Sequence, residues 1–375
     1  MHKLFRINTI DRSLRLLRGQ LRFLNQEFDV TAIANDSGAL AEVAKREGVR
    51  AIGVPMRREI NLAADCRSLV QLYKIFRCER PYIVHANTPK ASLLSMVAAW
   101  AARVPHRIYT VTGLRFETTR GVLRFTLKMM ERITCLCATK VIPEGDGVKA
   151  TLLREHITRK PMEKIHNGNI NGIDLEHYDR TEQVTARAAE IRNGSEEFTF
   201  IFIGRMVRDK GINELVAAFA RLNRDIPATK LLLVGKFEDE LDPILPETKR
   251  MIENNPNIEF VGYQNDVRPY LAAANVAVLP SYREGFPNVV MQAGAMGLAQ
   301  IVTDINGCNE IIIDGRNGVI IPKQNEQALY DAMRKLATDK DLTSKMADSA
   351  RELIASRYRQ QEVWEATLKM YRNLR

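Results

Sequence analysis

Short apolar runs alternate with longer stretches of helical periodicity along the first half of the chain. Runs at 3–7, 29–34, 50–54, 83–86, 107–111 and 140–142 read as strands. Between them, apolar residues recur every three or four positions over 12–26, 65–78, 89–102 and 121–136, the period of an amphipathic helix. Strands separated by helices of this length predict βαβ units on a parallel sheet.

The second half repeats the scheme. Strands are predicted at 198–203, 230–234, 257–261, 276–279, 300–302 and 318–321, and helices at about 211–224, 244–254, 286–296 and 325–337. The polar stretch at about 174–197 reads as the linker between them. The expectation is α/β: two doubly wound, Rossmann-like domains, over 1–175 and 176–356, facing a central cleft. Ligand is expected outside the carboxyl ends of the strands. In the tail, 357–375, Val363, Ala366, Leu368 and Met370 lie among charges, the pattern of a helix that packs one face.

Composition narrows the class. A chain of 375 residues fits two domains, and 45% hydrophobic with 27% charged residues is a globular balance. The longest nearly unbroken apolar stretch, 91–102, falls short of the ~20 residues of a membrane span. The N-terminus carries no apolar core with a cleavage site, so a cytoplasmic location is expected. Five cysteines, Cys66, Cys78, Cys135, Cys137 and Cys308, show no C-x-x-C spacing and are expected as buried thiols.

Charge is unevenly spread. Residues 1–170 carry 29 Lys and Arg against 15 Asp and Glu, a net +14 in a chain whose total is +10. The first half is expected to face something anionic: nucleic acid, a phosphate-rich ligand or an acidic membrane.

Two segments carry candidate chemistry. Gly204-Arg205-Met206-Val207-Arg208-Asp209-Lys210-Gly211 follows the strongest strand and opens a helix. Gly204 allows a sharp turn and a close approach of ligand to backbone. Arg205 and Lys210 put cations at a helix N-terminus, which suits a diphosphate; a solvated basic loop fits the same residues. The second segment, Tyr282-Arg283-Glu284-Gly285-Phe286-Pro287-Asn288, follows the strand at 276–279. Glu284 on that turn could accept hydrogen bonds from sugar hydroxyls. Gln292 lies eight residues on, about two helical turns, on the same side of the element. A capped helix with a polar face is the alternative.

Together these segments resemble the retaining glycosyltransferases of family four, which have the two-domain GT-B architecture. Gly204-Arg205 with Lys210-Gly211 is similar to the family's G-R-x(4)-K-G turn, and Glu284 to Gln292 to its E-x(7)-E segment. The resemblance covers essentially the whole chain. It implies that Arg205 and Lys210 bind the donor diphosphate and stabilise the leaving nucleotide. Glu284 then faces the donor sugar, and the backbone at Gly285, Phe286, Pro287 and Asn288 approaches sugar and phosphate. Position 292 holds the ribose; the usual Glu is Gln292 here, which still accepts one hydrogen bond and donates another. Gly262 and Tyr263 lie where such enzymes present backbone to the base. The C-terminal helix is expected to return to the first domain.

The first domain is expected to hold the acceptor. Gly19 matches a glycine loop after the first strand, and a helical position fits it equally. His85, Asn87 and Lys90 follow the strand at 83–86, where a histidine is often structural. Thr112, Gly113, Arg115 and Glu117 follow the next strand; Thr112 stands where many relatives carry His, so no catalytic histidine carries over. Asn171-Gly172-Ile173-Asp174 resembles the N-G-(V/I)-D entry to the second domain, and a plain turn fits it too.

The expected activity is metal-independent transfer of a hexose or N-acetylhexosamine from a nucleotide diphosphate, UDP first among them, with retention and with no cofactor. The overall pattern resembles bacterial enzymes of capsular and surface polysaccharide synthesis, whose acceptors are glycans on polyprenyl diphosphate. Such an acceptor would explain the basic first half. The stretch 120–132 mixes basic and apolar residues at helical spacing; it suits either an anionic membrane surface or an ordinary core-packing helix. A peripheral protein on the inner face of the cell membrane is therefore expected. Two alternatives remain. A UDP-sugar epimerase of the same architecture needs acid/base carboxylates, for which Glu117 is the one candidate in the first domain. A nucleic-acid-binding module needs basic residues interleaved with stacking aromatics; the aromatics here sit in strands and helix faces, so nucleic acid is not expected as a partner.

Overall fold

The computed structural model describes residues 1–56, 61–240 and 242–374. The chain forms two compact units, Met1–Gly172 with Gln360–Arg375, and Ile173–Arg359.

The first unit holds strands β1 (His2–Ile10), β2 (Phe28–Asn35), β3 (Arg50–Gly53), β4 (Ile83–Ala86), β5 (His106–Val111) and β6 (Lys140–Pro143). They form one parallel sheet in the order β3-β2-β1-β4-β5-β6. Helices cover both faces, so both sides of each central strand are apolar. Phe5, Ile7, Val84 and Tyr109 enter one core, and Leu4, Ile83, Ile108 and Ile142 the other. Burial on both faces explains why these strands read as continuous apolar runs rather than alternations.

The second unit holds β7 (Phe198–Ile203), β8 (Thr229–Val234), β9 (Ile258–Gly262), β10 (Val276–Leu279), β11 (Ala299–Thr303) and β12 (Gly318–Ile321), in the order β12-β11-β10-β7-β8-β9. Its sheet also separates two cores, with Phe200, Phe202, Leu231 and Val278 on one face and Ile201, Leu232, Val234 and Ala277 on the other. The strand order reverses between β1 and β4 in one unit and between β7 and β10 in the other. Ligand crevices of doubly wound sheets open at such switch points.

Several expectations are corrected. The helix over 12–26 is broken: a 3-10 helix, Asp11–Leu17, is followed by the helix Gln20–Leu24, with Gly19 between them at φ 81°. The stretch 174–197 is not plain linker, because Glu182–Arg192 is a helix whose Val184 and Ala188 join the second unit's core. Thr181 caps it, accepting from the Val184 N–H. Cys66 and Cys78 are exposed; Cys135, Cys137 and Cys308 are buried.

The tail forms the helix Gln360–Arg372, which belongs to the first unit. Its Tyr371 hydroxyl lies 2.5 Å from both Arg6 Nη1 and His85 Nδ1 in the interior. Its Trp364 donates to Asn171 Oδ1 and packs on Gly19, where a β-carbon would lie 2.5 Å from the indole. Among the described residues, no helix is long and apolar enough to cross a membrane.

Candidate functional site

The loops that leave β7 and β10 flank the switch point of the second unit, and they carry the two segments singled out in the sequence. Asp209 ties them together. Its carbonyl accepts from the Tyr282 N–H at 2.8 Å and from Ser281 Oγ at 3.2 Å, and its carboxylate takes Arg283 Nε at 3.1 Å. The buried Tyr282 hydroxyl donates to Glu214 Oε1 at 2.5 Å, which anchors the β10 loop on the helix Ile212–Asp225. Burial, followed by the Glu214 carboxylate, pushes this phenol well above its usual range.

Glycine permits the close approach. Gly211 sits at φ 71°, and a β-carbon there would lie 2.1 Å from the Pro280 carbonyl oxygen. Gly307 sits at φ 75°, and a β-carbon would meet the Gly285 carbonyl at 2.5 Å, so the loop after β11 packs on the Gly285-Phe286 turn. No other residue type fits either place without moving backbone. Gly204 differs from expectation. Its backbone is not in the left-handed region, and the sharp local conformation belongs to Gly235 at φ 154°, whose added β-carbon would meet the Gly204 carbonyl at 1.7 Å.

Lys210 and Glu284 are brought together as an ion pair, each side chain less than a fifth exposed. Arg205 is exposed and pairs with Glu238 at 2.7 Å. Two cations, each paired with a carboxylate, therefore line the loops at the sheet's carboxyl edge. The fully buried Cys308 thiol lies beside them. Burial first, and then the Glu284 charge, push its pKa well above the usual range, keeping it a neutral filler.

Gly285, Phe286 and Pro287 are buried and lead into the helix Asn288–Ala295. Because that helix begins at Asn288, Glu284 lies in the preceding loop. The two-turn spacing that joined it to Gln292 does not describe the backbone between them. Gln292 is in the helix and half-buried. Gly262 ends β9 at φ 76° with open space where a side chain would point, and its carbonyl accepts the Gly235 N–H at 2.9 Å. Tyr263, half exposed, carries the Lys236 ammonium 4.9 Å from its ring centroid.

The first-unit candidates divide. Gly19 has a packing role, its N–H donating to the buried Glu47 at 3.0 Å and its open side filled by Trp364. His85 is interior: Nε2 lies 2.7 Å from Thr110 Oγ1, and Nδ1 lies 2.6 Å from Arg6 Nη1. Burial, and then the Arg6 charge, hold its imidazole well below the usual histidine range. Asn87 is buried and donates to Asn8, and its carbonyl accepts from Thr112 Oγ1 at 2.9 Å. Lys90 is nearly buried and pairs with Asp65 at 2.8 Å. Thr112, Gly113 and Glu117 are half-buried, and Arg115 is exposed. Thr151 donates to Glu117 at 3.3 Å. The loop after β5 is thus the more open of the two.

Asp209, Glu214 and Glu238 were missed from the sequence. Asp209 lies inside the glycine loop and carries no pattern of its own. Glu238 is distant in sequence from Arg205, and only the pairing of β7 with β8 joins their loops. Gly235, directly after β8, was the one available signal.

Comparisons with known proteins agree with this fold. Residues 10–168 match the glycosyl transferase 4-like domain, and residues 197–339 match the glycosyl transferases group 1 model. The capsular polysaccharide biosynthesis glycosyltransferase CapM of Staphylococcus aureus is 31% identical over 372 residues, 98% of this chain and 96% of that one. An Escherichia coli UDP-Gal:alpha-D-GlcNAc-diphosphoundecaprenol alpha-1,3-galactosyltransferase is 30% identical, over 85% of this chain and 82% of its own. Among solved structures, HepE of Anabaena in complex with UDP-glucose superposes with a TM-score of 0.83 at 17% identity, covering both chains fully. Two parallel Rossmann-like sheets, the two matching family models and a full-length relative above 30% identity lead to one conclusion: the chain belongs to the glycosyltransferases built from a 4-like and a group 1 domain, with the GT-B fold.

Proposed function

We propose that this glycosyltransferase moves a hexose or N-acetylhexosamine from UDP to a glycan carried on polyprenyl diphosphate, in the synthesis of a capsular or surface polysaccharide. The observation that carries the reading is the Lys210–Glu284 pair between loops stitched by Asp209. It sets a cation for a diphosphate beside a carboxylate for sugar hydroxyls. The similarity to a galactosyltransferase whose name gives a diphosphoundecaprenol acceptor supports the acceptor class. UDP in the HepE complexes supports the nucleotide. The epimerase reading has no support beside this family membership.

In this reading Lys210 and Arg205 take up the charge that develops on the departing diphosphate, a role that does not require a metal ion. The bond between the anomeric carbon and the phosphate oxygen breaks as the acceptor hydroxyl attacks from the same face. The hydroxyl proton passes to the leaving phosphate oxygen, so the configuration is retained and no side-chain base is required. Glu284 orients the sugar and Gln292 the ribose; Gly262 and Tyr263 receive the base. On the first unit, Thr112, Gly113, Arg115 and Glu117 receive the acceptor. A lipid-borne acceptor puts the enzyme at the inner face of the membrane as a peripheral protein.

The test incubates the enzyme with UDP-sugars and a polyprenyl-diphosphate-linked glycan, with EDTA present. The proposal predicts one new glycosidic bond with the donor's anomeric configuration, read by NMR. An inverted product, or turnover only after a divalent ion is restored, would overturn the corresponding part.

A further inference from the structure

The helix Gly121–Cys137 packs one face inward and turns apolar residues outward as well. Glu131, Thr134, Cys135 and Cys137 face inward and are buried. On the far side Val122 is 83% exposed, Phe125 65%, Met129 37%, Ile133 41% and Leu136 76%. At about 3.6 residues per turn these five share roughly 80° of arc along more than three turns. An ordinary surface helix turns charged and polar residues outward; this one turns out a continuous apolar stripe. The helix Pro89–Ala101 packs beside it, and both run back from the carboxyl edge of one parallel sheet. Trp100, 59% exposed, therefore lies at the same end as Leu136.

Charge on the same helix favours one occupant. Arg124, Lys128 and Arg132, all half-buried, wind from the packed side of the helix toward the stripe, and Arg132 lies beside it. Arg124 and Lys128 share a single carboxylate, Glu155, leaving one positive charge in excess. Arg132 gives its Nε to the His156 carbonyl, a neutral acceptor. Glu131, the helix's one acid, is turned into the core and donates nothing to the outer face. A second copy laid on this stripe would add its own basic residues to the contact, whereas an anionic bilayer would neutralise them. The net +14 of residues 1–170 has the same sign.

We infer that the stripe Val122-Phe125-Met129-Ile133-Leu136, with Trp100 at one end, is a docking surface for an anionic lipid bilayer. The helix lies in the plane of the interface, with its apolar residues among the acyl chains and Arg132 at its edge among lipid phosphates. The inference rests on the lipid-linked acceptor of the proposed function for its purpose, though not for its physics.

The test is co-sedimentation of the full chain with phosphatidylcholine vesicles, alone or with about one-third phosphatidylglycerol, without nucleotide or acceptor. Binding to the anionic vesicles only, weakened about tenfold by Phe125→Ser and again by Leu136→Ser, is the expected result. Both sites are exposed, and unchanged melting curves check that the variants fold. A chain left in the supernatant, equal binding to both vesicles, or serine variants that bind like the parent overturn the inference. So does a dimer that Phe125→Ser dissociates, because a second copy would then occupy the stripe. Transfer to a detergent-soluble short-chain acceptor is measured in parallel. Loss of that activity with vesicle binding intact refutes the proposed function and leaves the docking surface standing.

Discussion

The Lys210 ammonium donates to the Glu284 carboxylate, joining the loop after β7 to the loop after β10. Each residue is the other's counter-ion, and the proposed function gives each a different part of the donor. In the proposed function, binding of a nucleotide sugar exchanges this pair for a Lys210–diphosphate contact and a Glu284–hydroxyl contact. Lys210→Ala is predicted to lower kcat by about 10²–10³-fold, because the lost charge acts mainly on the departing diphosphate. UDP affinity should fall much less. Steady-state kinetics beside calorimetric UDP titration separate the two; an equal loss in both would make Lys210 a binding residue only.

Glu284→Gln releases Lys210 from its partner while keeping the side chain's shape. UDP itself, which has no sugar for Glu284 to hold, should bind the variant at least as tightly as the parent, and transfer should fall by about tenfold or more. Weaker UDP binding by the variant would contradict the exchange.

Gln292 offers a neutral amide where the E-x(7)-E segment it resembles has a carboxylate. Gln292→Ala is predicted to raise the donor KM by about tenfold with kcat little changed, the pattern of a contact held equally in ground and transition states. A fall in kcat at constant KM would move Gln292 out of the ribose site.

Gly211→Ala tests the loop architecture. The new methyl would point at the Pro280 carbonyl from 2.1 Å, on backbone at φ 71°. Strain and displacement should cost about 2–4 kcal/mol of stability and remove the thermal shift given by UDP. An unshifted Tm would show that the two loops are less tightly joined than described.

A pH dependence follows from Glu131. Its buried carboxyl accepts from Tyr109 at 2.7 Å, and burial pushes its pKa up to about 7. The folded state thus holds a proton that the unfolded chain releases near its ordinary value of 4.5. The contribution is fully present below that value, declines as pH rises toward about 7 and is flat above, an effect of about 3 kcal/mol. Glu131→Gln should gain stability over the parent between about pH 5 and pH 8, measured as the difference in urea midpoints. A constant difference would refute it.

Much of this was legible in the residues. All twelve strands of the described residues were readable because their runs are apolar and bounded by polar turns, as Phe198–Ile203 shows. The helix over 12–26 was not, because apolar periodicity passes through Gly19 while Trp364, from the far end of the chain, decides its conformation. Glu182–Arg192 was hidden for the opposite reason: it buries only Val184 and Ala188, too few to raise a periodic signal. Arg205, Lys210 and Glu284 stood out through their glycine-rich loops. Asp209, which holds those loops together, and the Arg6–His85–Tyr371 cluster join residues far apart in sequence, and no local pattern announces such contacts. The residues over 120–132 showed a mixed apolar and basic helix, but only the fold shows that its apolar stripe faces outward.

In the proposed function the second unit binds a nucleotide sugar through Arg205, Lys210 and Glu284 and gives up the sugar only to an acceptor. The most direct test follows release of free nucleotide from a panel of nucleotide sugars, with and without lipid-linked glycan and with EDTA present. A UDP-sugar is expected to stabilise the protein to heat, and UDP to be released only when the acceptor is added. No thermal shift with any nucleotide sugar, or an isomerised sugar formed without acceptor, would contradict it.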